Sequence, residues 1–322
     1  MPEMMNVVIA AEFALAEKVI EALEHSDLPV ENVVAADIIP FGDEQGVRFN
    51  NRAVAQKAMD DIAWSEVRYF FFAGNIEHAQ AVHQAAQNGC VVVDLLGIFA
   101  SLHDVPLVVP SVNEAQLEQL RNHNIVSLPD PQISQLILAI APLLESAVSN
   151  VVVSSLLPAS YVNEEQVRRL AGQTAKLLNG IGLDEDEPRL AFNVAPFTAS
   201  HFSQARLLQQ FRKVLPAEVE LTLHPIQSAV FYGLAQHVSV WGEYQMPLDN
   251  LLLQWQQNDL VTVYEKEVLT PVKAGELEPT LHISAIEEQE NGVTFFSVAD
   301  DQTFSIATLG IKLAQLCHDY GY

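Results

Sequence analysis

Short apolar runs that alternate with helix-length segments constrain this chain more than any other feature. The runs at 7–10 and 33–36 flank a segment whose apolar residues recur at helical spacing. The runs at 68–72 and 90–94 flank a second such segment. Strands that alternate with helices in this way predict a mostly parallel, doubly wound sheet. We therefore predict that the N-terminal part of the chain is α/β.

The later part of the chain follows a different pattern. A helix is predicted at about 133–144 and a strand at 151–155. Another helix should begin at Asn163, because Gln166 stands three residues later, as in a capping box. Segments in which apolar and polar residues alternate come next, and they include 219–223, 237–241 and 293–298. Such alternation is typical of a sheet with one covered and one wetter face, and a last helix is predicted at 304–317, so this part reads as α+β.

Length and charge limit the class of protein. The chain has 322 residues, of which 49% are hydrophobic, enough to bury at least one full core and to form about two domains. It carries 41 acidic and 16 basic residues, which gives a net charge of -25. Such a chain repels phosphate backbones and anionic lipid. We therefore exclude nucleic acid and membrane surfaces as partners.

The cysteines and histidines give no sign of a disulfide or a metal. Cys90 and Cys317, the only cysteines, lie far apart and have no paired spacing. His78 and His83 are five residues apart, on different faces of a helix, and no third ligand is evident, so we predict surface positions and no metal site. The sequence shows no secretory signal pattern and no apolar run of about 18 residues. The expected location is the reducing cytoplasm.

Several stretches of the chain follow one another in an order typical of one enzyme family. They read EALEHSDLPVENV, AGNIEHAQAVHQAAQNGCVVVD, DVPLVVPSVN, NVVVSSLLPAS, QTAKLLNG, LAFNVAPF and ENGVTFFSVADD. In these stretches the chain resembles aspartate-semialdehyde dehydrogenases, and most closely their Usg-type paralogues. The resemblance extends from Asn6 to the C-terminus, and the combination of DVPLVVPSVN with LAFNVAPF is fairly specific.

The resemblance implies two domains. Residues 1–128 plus 301–322 would form a Rossmann-like NAD(P)-binding-type domain, and residues 129–300 a semialdehyde dehydrogenase-type α+β dimerisation domain. Members of the family dimerise through the sheet of the second domain, so a homodimer is expected. The apolar residues of that segment in this chain are Val219, Leu221, Val230, Phe231, Val238, Val240 and Trp241.

The cofactor-binding turn of the family is altered in this chain. Its members use the pattern G-x-T-G-x-V-G, whose bare backbone amides approach the cofactor diphosphate at a helix N-terminus. The three glycine positions are Ala10, Phe13 and Ala16. Glu12, at the threonine position, would repel phosphate, and Phe13 would fill the approach, so no cofactor is expected. Gly74 and Asn75 could border a nucleotide cleft, although a glycine that ends a strand is more often turn geometry.

The catalytic positions implied by the resemblance have also changed. The family's nucleophile is the cysteine of an N-P-N-C motif, and Pro131 occupies its place. The substrate clamp and the base lie in R-V-P-V-F-R-G-H, where this chain has Gln227 for the arginine and Leu234 for the histidine. A phosphate-binding arginine is replaced by Ala100 and a glutamine by Leu157. No intact catalytic residue is therefore expected.

Two functions remain open at this point. The first is a catalytically inactive homologue that keeps the dimeric scaffold and has a binding or regulatory role, with a protein or small-molecule partner that the residues do not identify. The alternative is an NAD(P)-dependent oxidoreductase with a rebuilt active site, in which Tyr232 and His224 could form a new acid–base pair. The first is favoured, because nucleophile, base and substrate clamp are all absent together.

Overall fold

The computed structural model describes residues 4–39, 41–42, 46–184, 186–198, 202–215 and 218–322. It contains two compact units. The first covers Met1–Ser134, Gln209–Val214 and Ser305–Tyr322, and the second covers Gln135–Leu208 and Leu215–Phe304. The domain limits expected from the sequence stay a prediction; the units differ from them chiefly at Gln209–Val214, which belongs to the first unit.

The described residues form fifteen strands and eight α-helices. The strands are β1 (Met5–Ala10), β2 (Val30–Ala36), β3 (Arg48–Phe49), β4 (Arg52–Ala53), β5 (Ala55–Lys57), β6 (Tyr69–Phe72), β7 (Val91–Asp94), β8 (Ile125–Ser127), β9 (Val148–Leu157), β10 (Ala195–Pro196), β11 (Glu220–Gln227), β12 (Leu234–Gly242), β13 (Val261–Val263), β14 (Leu281–Gln289) and β15 (Gly292–Ala299). The helices are α1 (Phe13–Glu24), α2 (Ala79–Gln87), α3 (Pro131–Ile140), α4 (Glu164–Leu178), α5 (Gln204–Val214), α6 (Leu248–Gln256), α7 (Pro271–Ala274) and α8 (Leu309–Asp319).

The first unit is built on a parallel sheet of six strands in the order β5-β2-β1-β6-β7-β8. Every residue of β6 and β7 is buried, because a parallel strand in the middle of such a sheet is covered on both faces. This confirms the predicted α/β fold with a doubly wound sheet. The strand order reverses between β1 and β6, and ligands of such folds bind beyond the carboxyl ends of the strands at this point.

The second unit is built on a mixed sheet of seven strands in the order β10-β11-β9-β12-β15-β14-β13. The pairs β9–β11 and β13–β14 are parallel, and the other pairs are antiparallel. The predicted helix that begins after Asn163 is α4, and the Asn163 side chain accepts a hydrogen bond from the Gln166 amide at 2.9 Å. This sheet with its own helices confirms the α+β assignment.

The two faces of the second sheet differ in what covers them. The covered face is buried against helices: Trp255 of α6 packs on Phe295 with ring centroids 5.3 Å apart, and its indole N–H donates to the Ala139 carbonyl at 2.8 Å. The opposite side chains are exposed or half-buried, and we call them the open face. They are Asn150, Val152, Ser154, Leu156, Glu220, Thr222, His224, Ile226, His237, Ser239, Trp241, Glu287, Thr294 and Phe296.

The strand register corrects part of the expected dimer surface. Val238 and Val240 are 0% exposed on the covered face, so they belong to the core of the unit. Trp241 is 37% exposed on the open face, and Phe231, in the turn before β12, is 41% exposed. Alternation along β12 separates these residues, since successive side chains of a strand point to opposite faces.

Two predicted helices have different limits in the structure. The helix predicted at 133–144 begins earlier and ends at Ile140, where a 3₁₀ segment, Ala141–Ser146, follows. Pro142 has no backbone N–H to donate to the preceding turn, which explains the change. The helix predicted at 304–317 consists of a π-helical turn, Thr303–Thr308, and then α8. Within the described part of the chain, no helix combines the length and apolarity needed to cross a membrane.

Candidate functional site

The turn between β1 and α1 lies at the switch point of the first sheet. Ala10 and Ala16 are 0% exposed, so their methyl groups are part of the core. Glu12 is half-buried at the N-cap of α1; its carbonyl accepts the Ala16 N–H at 2.8 Å, and its side chain makes no capping hydrogen bond. A carboxylate therefore stands at the start of α1.

An aromatic pair lies next to this turn. Phe13, the first residue of α1, packs edge-on against Phe41, which follows β2, with ring centroids 5.3 Å apart and an interplanar angle of 80°. The pair lies beyond the carboxyl ends of β1 and β2. In a dinucleotide-binding fold this place holds the cofactor, and bare backbone amides face its diphosphate. In this chain the Phe13 ring lies at that end of the sheet.

Gly74 and Asn75 have local structural explanations. A Cβ at Gly74 would lie 2.5 Å from the fully buried Phe72 ring, so a larger residue would displace that ring. The Asn75 side chain accepts the Glu77 N–H at 2.9 Å, and the Asn75 N–H donates to Nδ1 of His78. His78 is half-buried and accepts this hydrogen bond at the turn before α2, whereas His83 is exposed. A nucleotide role for Gly74 and Asn75 stays a prediction.

The start of α3 contains the residue that the sequence resemblance aligns with the family nucleophile. Pro131 is its first residue and offers no nucleophilic atom. The Asp130 carboxylate accepts the Gln132 N–H at 3.0 Å, and the Asp130 N–H donates to Oε1 of Gln210 at 2.9 Å. A capping aspartate followed by proline is a favourable way to begin a helix. The chain therefore uses this segment to start α3.

The loop that follows β7 is held by a lysine. Lys213 donates three hydrogen bonds from Nζ, to the carbonyls of Ala100 at 2.9 Å, Leu102 at 2.7 Å and Val105 at 2.6 Å. Partial burial lowers the pKa of its ammonium group. Ala100, which the sequence resemblance aligns with a phosphate-binding arginine of the family, is 2% exposed. All three N–H groups of the Lys213 ammonium therefore donate to backbone carbonyls, one of which is that of Ala100.

In the second unit, the residues that the sequence resemblance aligns with the family base and glutamine lie in one apolar cluster. Leu234 and Leu157 are 0% exposed and pack with Phe197, and the partly buried Tyr161, Val162 and Phe202 complete the cluster. Gln227 pairs with Leu157 across β11 and β9 and is half-buried. The structure thus places Gln227 on β11 and Leu234 on β12, the two strands that flank β9. The apolar environment there favours a hydrocarbon side chain over a charged base.

Tyr232 and His224 lie in different parts of the second unit. Tyr232 follows Phe231 in the turn before β12, and its hydroxyl contacts Oε2 of Glu164 at 3.5 Å. Partial burial, followed by the Glu164 charge, raises its pKa. His224 lies on the open face of β11 and borders a groove. The hydrogen bond shown for the Tyr232 hydroxyl therefore goes to a carboxylate, and the acid–base pair with His224 stays a prediction.

A buried carboxyl group that sequence reasoning did not single out lies at the end of β15. Asp301 is 1% exposed, and the Ser160 hydroxyl donates to its carboxyl group at 2.9 Å. The Gly233 N–H donates to the same group at 3.2 Å. Burial, with the charge of Asp300, raises the pKa of Asp301 to about 7. The signal in the sequence was an acidic pair between a strand and a helix, but burial decides its chemistry.

A groove of about 830 Å³ borders the outer edge of β11 in the second unit. Its lining includes Val194, Phe197, Phe202, Gln204, Thr222 and His224. Among the residues that the structure describes, no three His, Cys, Asp or Glu side chains are grouped so that they could hold a metal ion. Burial raises the pKa of both Cys90 and Cys317, which keeps these thiols protonated.

Comparisons with known proteins agree with this architecture. Residues 8–120 match the family described as semialdehyde dehydrogenase, NAD binding domain. The chain is 47% identical over 324 residues to a USG-1 protein homolog of Haemophilus influenzae, covering 99% of each chain. It is 32% identical over 335 residues to an aspartate-semialdehyde dehydrogenase of Shewanella sp. (strain DB6705), covering 98% of each. The crystal structure of aspartate semialdehyde dehydrogenase II from Vibrio cholerae has the same fold, with a TM-score of 0.93, 24% identity, and coverage of 99% of this chain and 100% of that one.

Proposed function

Because the chain belongs to the aspartate-semialdehyde dehydrogenase family and is similar over its whole length to a USG-1 protein homolog, we propose that it is a catalytically inactive member of that family. In this proposal the chain keeps the family scaffold and acts as a binding or regulatory protein. Its role then depends on surfaces of the fold and not on covalent chemistry.

The start of α3 carries the proposal. Acyl transfer through a covalent intermediate requires a nucleophile, a base that activates it and groups that hold the substrate. Pro131 supplies no nucleophile, and the neighbouring Asp130 carboxylate already accepts the Gln132 N–H at the helix start. The base position supports the same conclusion, because Leu234 is enclosed in an apolar cluster. A histidine there would lose its hydration without gaining a partner.

We also propose that the chain binds no nicotinamide dinucleotide. The residues at the β1–α1 turn do not fit its diphosphate, since Phe13 packs against Phe41 where the cofactor would approach. The half-buried Glu12 adds a like charge at the same turn. Like charges about 4 Å apart repel by about 1 kcal/mol in water and by several kcal/mol where water is partly excluded.

A homodimer in the cytoplasm completes the proposal. The centre of the open face, around Ser154, Leu156 and Ser239, contains no Asp, Glu, Lys or Arg, and Glu220 and Glu287 lie farther out on the same face. An uncharged, partly apolar centre of this kind is suited to burial against a second copy. The two buried free cysteines fit a reducing compartment.

The test measures cofactor binding and turnover in one set of proteins. NADPH is titrated into the wild-type chain and its fluorescence followed, and phosphate-dependent oxidation of aspartate semialdehyde is assayed with NADP⁺. We expect no saturable binding at micromolar cofactor and no turnover. Glu12→Thr combined with Phe13→Gly removes the charge and the ring, so this double variant should gain measurable binding. Glu17→Thr, on an exposed position of α1, is the matched control and should gain none.

Saturable micromolar binding together with turnover by the wild-type chain would contradict the proposal. It would favour the alternative, an NAD(P)-dependent oxidoreductase with a rebuilt active site. In that event Tyr232→Phe shows whether the Tyr232 hydroxyl takes part in the reaction or serves only as a hydrogen-bond partner of Glu164. Loss of turnover would assign the hydroxyl to the new site, whereas unchanged turnover would leave it as the partner of Glu164.

A further inference from the structure

A pocket of about 190 Å³ lies on one face of the first sheet, over β1 and β2. The strand register forms its floor, because Asn6 is opposite Asn32 and Val8 is opposite Val34. The segment 62–67, which precedes β6, forms one wall. The pocket therefore belongs to the first unit and lies on a face of its sheet, not beyond the carboxyl ends of the strands where a dinucleotide would approach.

The connection between β2 and β6 explains why this part of the sheet is open. A parallel sheet is normally covered by helices on both faces. The described residues of this connection form three short strands and two 3₁₀ turns, and none of them lies in an α-helix. Val34, Ile62 and Val67 pack against the core that contains Trp64 and Phe70, but they are only half-buried. We call these three side chains the apolar hollow.

Two asparagine side chains form a polar row at one end of the pocket. Nδ2 of Asn6 donates to the Glu66 carbonyl at 3.0 Å, and Nδ2 of Asn32 donates to Oδ1 of Asn6 at 3.0 Å. These two hydrogen bonds determine which way each amide points. Among the residues that the structure describes, no group donates to Oδ1 of Asn32, so this oxygen is available to accept from a ligand.

One cation and one anion line the pocket from opposite ends. Lys57, the last residue of β5, is opposite Ala36 on β2, and Glu66 adjoins the asparagine row. Both side chains are exposed, and neither forms an ion pair within the described part of the chain. A ligand with one carboxylate and one ammonium group complements both charges. Such a ligand has no net charge, so the net charge of -25 does not repel it.

We propose that this pocket binds a free amino acid with a compact apolar side chain. The Lys57 ammonium donates to the carboxylate of the ligand, and the Glu66 carboxylate and Oδ1 of Asn32 accept from its ammonium group. The side chain of the ligand covers the apolar hollow. The volume suits a solute that displaces about six water molecules, since each occupies about 30 Å³. This site goes beyond the proposed function, because it is separate from the β1–α1 turn and from the start of α3.

Saturation-transfer NMR of the full chain with L-valine and L-leucine tests the inference at neutral pH. We expect saturable binding with a dissociation constant of about 1 mM or lower, because a ligand with so few non-hydrogen atoms makes few contacts. Isovalerate lacks the ammonium group, and isobutylamine lacks the carboxylate. Each should bind about tenfold more weakly than L-valine or worse, because it loses one charge-assisted hydrogen bond.

Variants at exposed positions locate the site. Lys57→Gln and Glu66→Gln should each raise the dissociation constant for L-valine by about tenfold or more, since each removes one charge. Ala63→Phe places a ring in the pocket and should abolish binding. Lys266→Gln and Glu165→Gln are the matched controls on exposed positions of the second unit and should bind as wild type. Circular dichroism confirms that each variant is folded.

Three results would overturn the inference. The first is the absence of saturable binding of both amino acids at up to about 10 mM. The second is equal binding of L-valine, isovalerate and isobutylamine, which would show that the two charges are not recognised. The third is binding that Lys57→Gln, Glu66→Gln and Ala63→Phe leave unchanged, which would place the ligand elsewhere. The cofactor titration and the turnover assay test the proposed function separately, so the failure of one does not imply the failure of the other.

Discussion

At the scale of single residues, Asp301 shows how a common side chain acquires unusual chemistry. Its carboxyl group accepts hydrogen bonds from Ser160 and Gly233 and is 1% exposed. Its pKa is raised to about 7, whereas an unfolded aspartate titrates near 3.9. Between these values the folded chain binds one proton more than the unfolded chain. The contribution of Asp301 to stability is therefore full at low pH and is lost as the pH rises through about 7.

Replacing Asp301 by asparagine should remove this dependence. Asparagine keeps an acceptor for the Gly233 N–H and carries no charge to bury. The free energy of unfolding of Asp301→Asn should exceed that of the wild-type chain at about pH 8, by up to roughly 4 kcal/mol. Urea unfolding at about pH 5 and pH 8 measures the difference, with Asp259→Asn, an exposed position, as the control. A variant less stable than wild type at the higher pH would contradict the assignment.

At the scale of elements, two helical glycines show that packing outweighs intrinsic propensity. Gly172 lies on the exposed side of α4, and a Cβ there meets nothing within 4 Å. A Cβ at Gly310 of α8 would lie 2.2 Å from Cδ2 of Leu95, which is 1% exposed. Leu95 is buried, so its side chain would have to repack within the core to admit the methyl group. The same substitution therefore has opposite consequences in the two helices.

Gly172→Ala should stabilise the chain, because alanine favours a helix interior by about 0.5–1 kcal/mol over glycine. Gly310→Ala should destabilise it, because an extra methyl group in a packed core costs about 1–3 kcal/mol, more than the propensity gain. Urea midpoints at constant slope measure both variants side by side. A stabilised Gly310→Ala variant would contradict this prediction. It would show that Leu95 can repack around the added methyl group at no net cost in the free energy of unfolding.

At the scale of the whole molecule, the dominant feature is the charge. Sixteen basic residues against 41 acidic ones leave a net charge of -25, and a compact chain with this charge repels itself. Salt screens such repulsion within about 10 Å at 0.1 M and more closely at higher concentration. Stability should therefore depend on ionic strength more than it does for a chain of balanced charge.

Added NaCl should raise the thermal midpoint of the chain by a few degrees at about pH 7.5, as the salt concentration increases from about 0.05 M to 0.5 M. The increase should be smaller at about pH 5, close to the sequence pI of about 4.5, where the net charge is low. Differential scanning calorimetry at both pH values gives the comparison. Midpoints that fall with salt at about pH 7.5 would show that attractive ion pairs outweigh the overall repulsion.

The sequence by itself determined the local features of the fold. Continuous apolar runs predicted β1, β6 and β7, helical spacing predicted α1 and α2, and the cap at Asn163 predicted the start of α4. These features depend on residues a few positions apart, so they can be read along the chain. The absence of a nucleophile at Pro131 is equally a matter of residue identity.

Tertiary structure decided which distant residues meet. The register of β9, β11 and β12 sets His224 and His237 on either side of Ser154, and it puts Val238 and Val240 on the covered face. The burial of Asp301, the π-helical turn at Thr303–Thr308 and the contact of Phe13 with Phe41 depend in the same way on segments far apart in sequence. Burial and register both arise from the packing of whole elements. Burial sets the pKa values of side chains such as Asp301, and register sets which side chains share a surface.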